Sequence, residues 1–116
     1  MKRKYVTDLR PWFVKNLKAG SIVTGAWLIS DENNTEIVVR FDNMMSKIER
    51  SMAIRLIEKR CAEAVINERA KEKSSDFIDM LEKALEENTI REWSIEDKKI
   101  IRNGIPYEKR GAAGEW

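Results

Sequence analysis

From Asn43 to Lys73 the chain contains neither Pro nor Gly. It is rich there in helix formers, which predicts a helix of about 30 residues or two helices joined at a kink. In a chain of 116 residues such a helix is the spine on which everything else must pack. At 100° per residue its apolar side chains fall into two stripes. Met45, Ile48, Met52 and Leu56 share one side early, whereas Ile54, Ile57, Cys61 and Val65 share roughly the opposite side later. One stripe is enough for a core. The second is either wrapped by the rest of a small domain or left as a contact surface, since apolar surface beyond what a core needs marks association. On the second reading Ile54, Ile57, Cys61 and Val65 are the candidate partner-binding residues. Met44, Met45, Met52 and Met80 suit a surface that adapts to a partner, because unbranched thioethers re-pack easily. The heptad regularity is not sustained long enough to predict a coiled coil.

Ahead of this helix lies a β-hairpin signal. Ser21 to Ser30 is β-branched, aromatic and apolar on both parities, Asp31-Glu32-Asn33-Asn34 supplies turn chemistry, and Thr35 to Asp42 forms the second strand. In that strand Ile37, Val39 and Phe41 alternate with Glu36, Val38 and Arg40, the pattern of a sheet with one buried face and one mostly wet face. Two strands alone are marginal in water and must pack on helices or be extended by another chain's edge. A short helix over Leu9 to Lys18 is predicted by the recurrence of Leu9, Phe13 and Leu17, with Thr7 or Asp8 as cap, Pro11 in the first turn and Gly20 beyond the end. Residues 1–8 read as a basic N-terminal arm.

Ser74-Ser75-Asp76 opens an amphipathic acidic helix to about Glu87, with Phe77, Met80, Leu81 and Ala84 on one face. Ser94-Ile95-Glu96-Asp97 resembles a capping box and starts a short C-terminal helix ending at Asn103-Gly104. The fold expected is therefore a single α+β domain over residues 1–104, a β-hairpin packed on a long central helix with one amphipathic and one short C-terminal helix. Residues 105–116 form an irregular tail.

The chemistry is bounded by what is missing. With no His and the single Cys61, neither an internal disulfide nor a His-based metal or acid–base site can be built, and no cofactor is expected. Mid-helix and without a base beside it, Cys61 has nothing to activate it as a nucleophile. No paired acids, phosphate-binding glycine loop or nuclease-like acid cluster is present, so the chain is read as non-enzymatic. No stretch approaches the roughly 18 uncharged residues of a membrane span, and no apolar run resembling a signal peptide follows Met1-Lys2-Arg3-Lys4, which predicts a cytoplasmic protein without membrane contact. Asn33-Asn34-Thr35 matches a glycosylation acceptor but reads as a polar turn.

Charge is segregated along the chain. Residues 1–18 carry six basic side chains against one acidic, and residues 75–97 carry two against eight. Lys2, Arg3, Lys4, Arg10, Lys15 and Lys18, interleaved with Tyr5 and Trp12, and Lys98, Lys99 and Arg102 near the other end, are the candidate residues for an alternative function, binding of nucleic acid. A helix-turn-helix built from 76–87 and 95–103 fits poorly. The 88–94 connection is long, and the first helix is acidic where it would cross phosphates. Trp93 and Trp116, each alone in a non-helical segment, are further candidate anchors for a protein partner. The leading expectation is a protein-binding module, self-associating as a homo-oligomer and docking on a macromolecular partner. It would act as an accessory or inhibitor protein of the kind that phages and plasmids encode.

Overall fold

The computed structural model describes residues 5–18, 22–30, 34–71, 75–86 and 90–102. The chain is α+β, and its described elements are β1 (Tyr5–Asp8), α1 (Arg10–Trp12) continued by a π-helical turn (Phe13–Leu17), β2 (Val23–Ser30), β3 (Thr35–Phe41), α2 (Lys47–Ala70), α3 (Asp76–Glu86), β4 (Ile90–Glu92) and α4 (Ile95–Arg102). The strands form one sheet in the order β1-β2-β3-β4. The first two pairings are antiparallel and β3 to β4 is parallel.

The expected hairpin is β2 and β3, with Leu28 opposite Ile37 and Trp27 opposite Val38. Its edges are extended from within the same chain. Residues 5–8 of the predicted arm are a strand, with Val6 opposite Ile29 and Thr7 opposite Leu28, and both Val6 and Thr7 are buried; Lys2, Arg3 and Lys4 lie outside the described residues. The segment expected to link the last two helices contains β4, where Ile90 pairs with Ile37 and Arg91 with Val38, and the Trp93 N–H continues the ladder by donating to the Val39 carbonyl at 2.8 Å. A strand between α3 and α4 replaces the turn that a helix-turn-helix needs. With neighbours on both sides β3 becomes an interior strand, and Ile37, Val38 and Val39 are all fully buried. On the face of β3 expected to be mostly wet, Val38 is covered, Glu36 is half-buried and Arg40 is exposed.

Helix boundaries follow the local hydrogen bonds. Asp42 claims the next backbone groups as a turn, its carboxylate accepting from Met44 N–H at 2.8 Å and its carbonyl from Met45 N–H at 3.1 Å. Ser46 then caps α2 in a reciprocal box with Glu49: Glu49 N–H donates to Ser46 Oγ at 3.2 Å and Ser46 N–H to Glu49 Oε1 at 3.1 Å. Side chains that bond backbone in this way compete with helix, and α2 accordingly begins at Lys47 rather than Asn43. Ser75 caps α3 through Ile78 N–H. Ser94 caps α4 with Asp97 in the role usually held by Glu. The first helical segment has no side-chain cap at Leu9, although the Asp8 carboxylate accepts from Arg10 N–H at 3.0 Å. The π-helical turn ends at Lys18, which takes a left-handed conformation (φ 53°).

Two apolar layers result. The larger gathers Leu9, Trp12, Phe13 and Leu17 with the inward residues of β2 and β3, Ile90, one stripe of α2 and Phe77, Ile78, Leu81 and Ala84 of α3. Trp12 meets Phe77 edge-on at 5.5 Å between ring centroids. The smaller lies on the opposite sheet face, where Val6, Ile29 and Val38 pack with Trp27, Trp93, Ile100 and Ile101.

Candidate functional site

The long helix carries two opposed apolar stripes, and the structure assigns them in the reverse of the expected sense. Ala53, Ile57, Cys61 and Val65 are buried against the rest of the larger core, and Ile54 is half-buried alongside them. Ile57, Cys61 and Val65 are thus occupied by their own fold and present no contact surface, and Ile54 is left partly exposed beside them. The physical reason is layering: α3, β4 and the π-helical turn all pack against the side of α2 on which these residues lie. The uncovered stripe is the other one, where Ile48 is 74 % exposed, Met52 65 %, Leu56 40 % and Ile66 66 %.

That outer face is longer than the four residues first grouped on it, minus Met45, which is half-buried against the core. Ile48, Met52, Leu56, Lys59, Glu63, Ile66 and Ala70 follow one another at steps of three or four. All lie within about 40° of Met52 when the helix is drawn at 3.6 residues per turn. Each is exposed. The face is therefore an apolar strip interrupted once, at its middle, by a cation and an anion. Lys47, Ser51 and Arg55 join Ile48 and Met52 around a shallow depression at its N-terminal end. The other side of α2 is tied down, the Arg60 guanidinium donating to the Leu17 carbonyl at 2.6 Å and Arg50 pairing with Glu92 of β4 at 3.4 Å. The outer face is thereby presented on a rigid support.

The second sheet face holds the other conspicuous cluster. Trp27 and Trp93 stack with ring centroids 4.6 Å apart, and the Arg40 guanidinium lies over both rings at 5.9 and 5.6 Å while bonding to Thr24. Trp93, a candidate anchor, is thus half-buried and already engaged. Gly25 is required beneath this stack, because a Cβ there would strike the Trp27 ring. Beside it Arg91 binds two carboxylates at once, Glu36 through Nε (2.9 Å) and Nη2 (2.8 Å), and Asp97 through Nη1 (2.8 Å) and Nη2 (2.6 Å). Asp97 is completely buried. Burial by itself would raise its carboxyl, but hydrogen bonds from Arg91 and from Ser94 and the Arg91 charge together bring it below the ordinary carboxylate value. The Arg91 guanidinium is held still more firmly protonated, first by its bonds to Glu36 and then by those to Asp97. Among the described residues neither cluster holds a buried side-chain nitrogen or oxygen without a hydrogen-bond partner.

Cys61 is buried, and burial first, then the nearby Glu58 charge, pushes its thiol up to about 12. Such a thiol stays protonated and does not act as a nucleophile at neutral pH. Among the described residues no group of three or more His, Cys, Asp or Glu converges to hold a metal ion, and no helix is long and apolar enough to cross a membrane.

The basic candidates among the described residues are not brought together. Lys15 and Lys18 belong to the π-helical turn and its end, which pack into the larger core, whereas Lys98, Lys99 and Arg102 are exposed on α4, which closes the opposite sheet face. Arg10 donates through Nε to the Val23 carbonyl at 3.2 Å. Trp12, expected to stack on bases, is buried. Trp116 lies outside the described residues. Comparison of the chain with models of known protein families, with curated proteins and with solved structures finds no match.

Proposed function

We propose that this chain is a non-enzymatic protein-binding module that self-associates and docks through the outer face of α2. The observation that carries this reading is the exposed run of Ile48, Met52, Leu56 and Ile66 on a helix whose opposite stripe already serves the core. Single exposed apolar residues are ordinary, but a row of large ones on one face of one helix, Ile48, Met52 and Leu56 on successive turns and Ile66 beyond the Lys59 and Glu63 interruption, costs solubility and marks a contact surface. The unbranched Met52 at the middle of its apolar half suits a surface that moulds to what it meets. Nucleic-acid binding is the weaker reading. The described basic residues sit on opposite layers, and of the two aromatics proposed to stack on bases, Trp12 is buried in the core.

Sedimentation of the wild type and of Met52→Asp over a concentration series, at low salt and at 0.5 M salt (about 0.5 M being enough to screen exposed charges), tests the proposal. Reversible self-association that persists in salt and is lost in Met52→Asp is expected. A wild type that stays monomeric throughout, or association that survives Met52→Asp, overturns it. Binding of DNA or RNA that disappears in salt would put the alternative first.

A further inference from the structure

We infer that the occupant of the outer face is a second copy of this chain, its α2 lying antiparallel to the first about a two-fold axis beside position 61; this rests on the binding reading above and specifies its geometry. The charge pattern of the strip carries the inference. Lys59 and Glu63 are exposed, interrupt the apolar run side by side, and form no ion pair with any described residue at the distances of the five pairs seen elsewhere.

In an antiparallel pair centred between them, each Lys59 faces the Glu63 of the other copy. The same register sets Leu56 towards Ile66, Met52 opposite Ala70 and Arg55 towards Asn67. In a parallel, in-register pair Lys59 would meet Lys59 and Glu63 would meet Glu63, and like charges set opposite each other oppose pairing. A polar or charged pair within an otherwise apolar seam is the device that fixes helix orientation in paired helices. An unrelated apolar partner would instead cover both charges without answering either. The outer face is therefore complementary to itself in one orientation only.

Size sets the expected strength. In this register residues 52–70 of the two copies overlap and Ile48 lies past the end of the shared seam; that overlap spans about 28 Å, and a strip roughly 10–12 Å wide gives a planar footprint of about 300 Å² per copy. A standard stable interface buries roughly 800 Å² per partner, so the pair belongs to the weak, concentration-dependent class.

Lys59→Glu, Glu63→Lys and Met52→Asp, with folding of each checked by circular dichroism, test the geometry by sedimentation equilibrium from about 10 μM to about 1 mM, a range suited to weak interfaces. The wild type is expected to form dimers, Lys59→Glu and Glu63→Lys each to weaken the dimer at least about tenfold, as like charges then face each other twice. An equimolar mixture of those two variants is expected to associate again as a heterodimer, because every cross-pair becomes opposite in sign. Rescue by mixing reports contact between copies and is blind to changes within one helix. If the wild type dimerises and Met52→Asp abolishes the dimer, but the charge variants alone do not weaken it, whether or not mixing strengthens association, the antiparallel pair is wrong and the binding surface stands. A wild type monomeric at every concentration overturns both.

Discussion

Asp97 has no exposure to water, and its charge is sustained by Arg91 and Ser94. Removing one partner of a buried ion pair leaves an uncompensated charge and commonly costs 3–5 kcal/mol. Arg91 is 40 % exposed in its side chain, so Arg91→Met is expected near the low end, about 3 kcal/mol, read by urea unfolding at pH 7. The pH dependence has a definite sign. A carboxyl whose folded value lies below its unfolded one stabilises the fold fully above the unfolded value, about 3.9, and loses that contribution as pH falls through the lower, folded value. Asp97→Asn should therefore be less stable than wild type at pH 7, with the gap closing on the acid side below about pH 4. A gap independent of pH would show that Asp97 is not held as the anion. Cys61 gives a second check: with its thiol pushed up to about 12, an aromatic disulfide reagent at pH 8 should modify it only as fast as the chain unfolds, and immediate labelling of the native protein would contradict its burial.

The elements show where sequence reasoning succeeds and where it stops. The β2–β3 hairpin, the Ser75 cap of α3 and the Ser94–Asp97 start of α4 were legible because turn and capping chemistry is local. The Ser46-Lys47-Ile48-Glu49 box at the start of α2 is equally local chemistry, and it sets the helix start at Lys47. β4 was not legible, since three residues with Arg91 and Glu92 in a row carry no alternation, and Ile90 is a strand residue only because β3 offers it an edge. Which stripe of α2 faces inward was also beyond the pattern. Two opposed stripes on one helix are equivalent in sequence, and the choice is made by α3, β4 and the π-helical turn arriving on one side. Val65→Asp and Met52→Asp separate the stripes. The first buries a charge in the larger core and is expected to unfold the chain, at a cost above about 4 kcal/mol. The second is expected to shift stability by less than about 0.5 kcal/mol, with thermal melts as the readout. Ser46→Ala should remove about 1 kcal/mol through loss of the cap.

In the whole molecule, one sheet carries a large core on one face and a small aromatic and ionic layer on the other, and α2 stands at the outside of the large core with its far side open. Every large apolar residue of β3 and the inner stripe of α2 is consumed by this arrangement, while the outer strip of α2 is left over, and the function proposed here depends on that surplus. The methionines report on it without mutation. Met52 lies on the outer strip, Met80 is half-buried against the core and Met44 is exposed beyond the start of α2. Methyl spectra of the methionines, recorded on dilution from about 1 mM to about 10 μM, the range of a weak interface, should show the Met52 resonance moving with concentration while that of Met80 stays fixed. A Met52 methyl that does not move over that range would contradict the assignment of the outer face of α2 as a site of self-association.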